Sequence, residues 1–124
     1  MGDNMGKWLR LACIAWAIIA STGLAWGQLA PAIKPLSGSK GAAQINKGVE
    51  FYTRGNWDKA QKYYQDALTA NPRSPEAHYN LALAYDKRGD RQNAMVHFKK
   101  ASSLGQLNPM IRNSKILKQR LKTK

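Results

Sequence analysis

Apolar positions recur at helical spacing through the middle of the chain. Ile45, Val49 and Tyr52 step by four and three residues, which places them on one face of a helix. Gly48 and Phe51 lie beside that stripe. Gly55 suits the left-handed conformation that ends many helices, and Asn56 can cap a following one. Trp57, Ala60, Tyr64, Ala67 and Leu68 then mark a second helical face, which Asn71-Pro72 stops because a residue before proline is pushed out of the helical region. Ser74 and Pro75 open the next helix as cap and first residue. That helix is apolar over most of its circumference, at Tyr79, Leu81, Ala82, Leu83 and Tyr85. Gly89-Asp90 forms a turn, and Ala94, Phe98 and Ala101 lead its partner. The pattern predicts two helix–break–helix units.

Shifting the chain along itself by 34 residues superposes the units: Gly48 on Ala82, Phe51 on Tyr85, Gly55 on Gly89, Ala60 on Ala94, Tyr64 on Phe98 and Ala67 on Ala101. Small residues meet small ones and aromatics meet aromatics, as a stacked repeat requires. In period and residue pattern the segment resembles the tetratricopeptide repeat family. The resemblance implies an all-α solenoid of two antiparallel helix hairpins, over residues 41–74 and 75–106. Gly48, Phe51, Ala60, Tyr64, Ala67, Ala82, Tyr85, Ala94, Phe98 and Ala101 would form its packing contacts. The match departs from the family where a tryptophan is usual (Gln44, His78), where a leucine is usual (Lys47, against Leu81), and at Gln106, where the closing proline comes only at Pro109.

The resemblance also implies a scaffold that holds a partner peptide in a concave groove lined by the first helices. The corresponding positions are Ile45, Val49 and Tyr52 in the first unit, with Tyr79, Leu83, Asp86 and Lys87 in the second. Ile45 and Val49 stand where a carboxylate-clamping subfamily carries lysine and asparagine, so the expected ligand is an amphipathic or extended apolar segment. Two repeats are fewer than the three that a stable array needs. A C-terminal cap, a partner or a second copy of the chain would complete the stack.

Residues 1–27 read as an export signal. Lys7 and Arg10 precede an apolar stretch over residues 11–20, and Ala25-Trp26-Gly27 supplies small residues for cleavage before Gln28. The competing reading is an uncleaved membrane anchor with Trp8 and Trp26 at the interfaces, although the stretch is shorter than the ~20 residues a spanning helix needs. Residues 28–40, with two prolines and Ser37-Gly38-Ser39, read as a flexible linker. Residues 107–124 read as one basic amphipathic capping helix, opened by Asn108-Pro109, with Leu107, Met110, Leu117 and Leu121 as its stripe and Ile111 at the margin.

Charge sharpens this picture. The chain has 124 residues, a formal net charge of +13 and a pI near 10.2. No Asp or Glu follows Asp90, whereas Arg91, Lys99, Lys100, Arg112, Lys115, Lys118, Arg120, Lys122 and Lys124 do. Such a tail suits an anionic lipid surface, an anionic polymer or an acidic protein; export would make nucleic acid the least fitting partner. Cys13 is the single cysteine, which excludes an intramolecular disulfide. His78 and His97 fall on different helices, and Asp58, Asp66 and Asp86 fall on separate surfaces. This pattern points to no catalytic group, metal or cofactor.

Overall fold

The computed structural model describes residues 30–123, so the signal or anchor segment lies outside the described residues. The described residues form six helices in order: α1 (Ala42–Thr53), α2 (Trp57–Ala70), α3 (Pro75–Lys87), α4 (Arg91–Leu104), α5 (Pro109–Arg112) and α6 (Lys115–Lys122). Helices α1/α2 and α3/α4 form antiparallel hairpins. The hairpins stack through α2 and α3, and α6 packs on α4. Among the described residues there are no strands.

Local chemistry sets the helix boundaries. Asn56, Ser74 and Asp90 accept hydrogen bonds through their side chains from the main-chain N–H groups of Lys59, Ala77 and Asn93, at 3.1–3.2 Å. Gly55 and Gly89, 34 residues apart in the sequence, both sit in the left-handed region with φ of 77° and 82°. A side chain there would be strained.

The packing follows the 34-residue register. Ala60, Tyr64, Ala67, Ala82, Phe98 and Ala101 are fully buried, and Ala94 nearly so. Gly48 is buried with the Tyr64 ring against it, so close that a Cβ at this position would overlap the ring. Phe51 and Tyr85 are only half-buried. Phe51 stacks on Tyr63 at 5.4 Å, and Tyr85 on His97 at 5.7 Å.

Tyr64 and Phe98 differ by one hydroxyl, and that of Tyr64 is buried with no hydrogen-bond partner among the described residues. An unmade hydrogen bond at a buried hydroxyl costs about 1–3 kcal/mol. Tyr64→Phe, which copies the residue of the second hairpin, should therefore raise stability by about 1 kcal/mol, read as a higher urea midpoint with unchanged slope.

The C-terminal segment differs from the single helix expected over residues 107–124. It breaks at Asn113-Ser114 into α5 and α6. Ser114 caps α6 by accepting from the Leu117 N–H at 3.3 Å, and its hydroxyl also meets the Tyr79 hydroxyl at 2.8 Å. The break changes the phase of the apolar face. Ile111 is fully buried and Leu117 nearly so, whereas Met110 and Leu107 are 59% and 96% exposed.

Candidate binding groove

Helices α1 and α3 are the first helices of the two hairpins, and the residues expected along their concave face meet several fates. Ile45 and Tyr52 are fully buried, and Tyr79 and Leu83 nearly so. Tyr79 packs edge-on against Phe98, with ring centroids 6.0 Å apart. Asp86 is held by Arg120 of α6 at 2.8 Å, with only 11% of its side chain exposed. Val49 is half-buried and Lys87 exposed. At its second-hairpin end this face is therefore engaged by the C-terminal helices through Tyr79–Ser114 and Asp86–Arg120. Asn108 adds a third tie, donating to Glu76 at 2.8 Å.

Residues 31–36, expected as part of a flexible linker, are pinned at one point. Ile33 is 3% exposed. The Asn80 side chain, itself fully buried, accepts from the Ile33 N–H through Oδ1 and donates to the Ile33 carbonyl through Nδ2, each at 2.7 Å. Both functions of one amide thus meet both main-chain groups of one residue. Full burial of an isoleucine gains about 1.5–3 kcal/mol, and each hydrogen bond about 1 kcal/mol net. Ordering each backbone residue costs about 1–2 kcal/mol, less at Pro31 and Pro35, whose φ is already restricted.

Beyond Ile33 this strap forms one wall of an open cleft of about 540 Å³. Lys34, Pro35 and Ser37 line one side, and Asn46, Val49, Glu50 and Thr53 of α1 line the other. Asn46 precedes Asn80 by 34 residues and Ser114 follows it by 34, so one polar register position recurs on α1, on α3 and at the cap of α6.

Sequence reasoning did not single out Asn80 or Ile33. The available signal was a polar residue inside the otherwise apolar run Tyr79, Leu81, Ala82, Leu83. A buried asparagine in such a run needs hydrogen-bond partners.

Helices α3 and α4 are also joined by a histidine pair. His78 Nε2 lies 2.9 Å from the Pro72 carbonyl, which only accepts, so this nitrogen carries the proton. His78 Nδ1 then accepts from His97 Nδ1–H at 3.0 Å. Burial lowers the pKa of both rings; His97, which also faces His78 and Lys100, is brought down to about 4. Each folded-state value lies below the ordinary one near 6.5, so the unfolded chain takes up protons first as the pH falls. The pair's contribution is complete above pH ~6.5 and is lost between there and about pH 4. Discounted for the partial exposure of His97, the loss should be about 1–2 kcal/mol. Urea midpoints at pH 7 and 5 test this: His97→Phe should flatten the decline relative to the parent chain.

The tail stays largely open. Lys99, Lys100, Arg112, Lys115, Lys118 and Lys122 are exposed, and Arg120, through its ion pair with Asp86, is half-buried. Among the described residues no three His, Cys, Asp or Glu side chains gather as metal ligands. No described helix is long and apolar enough to cross a membrane.

Comparison with known proteins agrees with this geometry. A family profile described as tetratricopeptide repeat matches residues 45–107, half of the chain. The photosystem I assembly protein Ycf3 of Prochlorococcus marinus is 38% identical over 50 residues, which cover 40% of this chain and 29% of that protein. Protein bimA of Emericella nidulans is 31% identical over 65 residues, covering 52% of this chain and 8% of that protein. The chain thus matches less than a third of the length of either relative.

Proposed function

We propose a partner-binding role from one premise: the chain belongs to the tetratricopeptide repeat family. Proteins of this fold are generically protein–protein interaction modules. The chain serves as a non-enzymatic scaffold that holds a segment of another protein on its concave face, within an exported or membrane-tethered assembly. The observation that carries this reading is the buried Asn80 amide, which already grips an extended main chain on that face. One relative bears the name of an assembly protein, and a scaffold of this kind suits such work. The compartment rests on residues 1–27; mass analysis of the mature N-terminus should find a start at Gln28, and an intact Met1 end would favour the retained anchor.

A second reading has its own observation. Six exposed Lys and Arg side chains between Lys99 and Lys122 face no acidic residue of their own segment, so the tail suits an anionic lipid or polymer, with the hairpins as spacer. A salt titration separates the two. At about 1 M salt, where charges are screened beyond ~3 Å, a complex held by the cleft should survive and one held by the tail should dissociate. Loss of all binding at that salt would sink the groove reading.

A further inference from the structure

We propose that residues 31–36 are a resident, displaceable occupant of the Asn80 seat, and that the partner is an extended segment with one aliphatic anchor that takes over the place of Ile33 there. The proposal rests on the groove-binding reading and specifies the chemistry of its ligand.

Asn80 reads main chain only. Its two hydrogen bonds go to the N–H and the carbonyl of a single extended residue, so any non-proline residue in that conformation satisfies it. Selectivity comes from the seat, which takes the isoleucine side chain down to 3% exposure. A charged anchor would lose its hydration there. A proline anchor would lack the N–H that Asn80 Oδ1 accepts.

The present occupant is hydrogen-bonded to the helices at that one point. Ala32 and Pro35 are half-buried, whereas Pro31 and Lys34 are exposed, as is Leu36 at 79%. Among the described residues, the two bonds to Asn80 are the only hydrogen bonds that join residues 31–36 to the helices. Simple departure of the strap would give up the burial of Ile33 and leave the Asn80 amide to water. Exchange for a second extended chain restores both the burial and the two bonds, so replacement is favoured over vacancy. Because the strap itself walls the cleft beside α1, its displacement would leave the α1 side, with Asn46 one repeat before Asn80, open for an incoming segment to continue along.

The test uses a fluorescent peptide of residues 30–37, Ala-Pro-Ala-Ile-Lys-Pro-Leu-Ser, titrated with the full chain. The parent chain should bind it weakly, because its own strap competes at high effective concentration. Ile33→Asp, which expels the strap, should bind at least about tenfold tighter, in keeping with removal of an occupying competitor. Combining it with Asn80→Ala should abolish binding, and so should N-methylation of the peptide's isoleucine. Equal affinity for the parent chain and Ile33→Asp, or indifference to N-methylation, would overturn the proposal. Should Ile33→Asp fail to fold, amide exchange on the parent chain decides: added peptide should deprotect the Ile33 N–H, and unchanged protection throughout the titration would refute exchange. A parent dimer dissolved by Ile33→Asp would assign the seat to a second copy and also overturn it. Salt-resistant partner binding without peptide exchange would sink this proposal and leave the groove reading standing. A partner released by salt would sink the groove reading itself.

Discussion

A chain ending at Gly105 should lose about 4 kcal/mol or more of stability and much of its cooperative unfolding. The truncation removes Ile111 and Leu117, whose side chains are buried to 0% and 4% exposure and are each worth about 2 kcal/mol. It also strips the Tyr79 hydroxyl of Ser114, and Asp86 of the guanidinium that neutralises it at 2.8 Å. Urea unfolding should show a lower midpoint and a shallower slope, because less surface is then exposed on unfolding. An unchanged midpoint would show that α5 and α6 do not complete the stack.

Replacing Gly48 by valine should be nearly as damaging, at about 3 kcal/mol or more. A Cβ at this position would collide with the Tyr64 ring, and Tyr64, fully buried, has nowhere to retreat. Glycine within a helix costs only about 0.5–1 kcal/mol against alanine, so better helix propensity recovers little. Overpacking a filled core costs about 1–3 kcal/mol for added methylenes, and valine adds three carbons where Gly48 of α1 faces the Tyr64 ring of α2. Combination with Tyr64→Leu, which shortens the opposing side chain, should recover part of the loss. A neutral Gly48→Val would contradict the register in which α1 packs on α2.

That register was legible because its signals are local. Gly55, Pro72 with Ser74 and Pro75, and Gly89 with Asp90 each end or start a helix within a few residues. The alternation of small and aromatic positions then repeats at 34. What the sequence hid depends on partners far along the chain. Ile33 lies in a Pro- and Ser-rich stretch that reads as linker, and the amide that fastens it is 47 residues away. The break before α6 follows from a serine that a helical stripe passes over, since its tyrosine partner is 35 residues earlier. The family resemblance placed Tyr79, Leu83 and Asp86 on one face. It could not show that flanking segments from both sides would engage that face. Asp86 illustrates this: read alone it is a groove carboxylate, whereas its pairing with Arg120 also removes one cation from the basic tail.

Photo-crosslinking in the native host addresses the central claim most directly, with a crosslinking side chain placed in turn at Val49, in the cleft, and at Lys118, on the exposed tail. The account predicts one protein partner captured from Val49, at a yield that added strap peptide lowers, and little from Lys118. Capture from Lys118 alone, with Val49 silent, would contradict it.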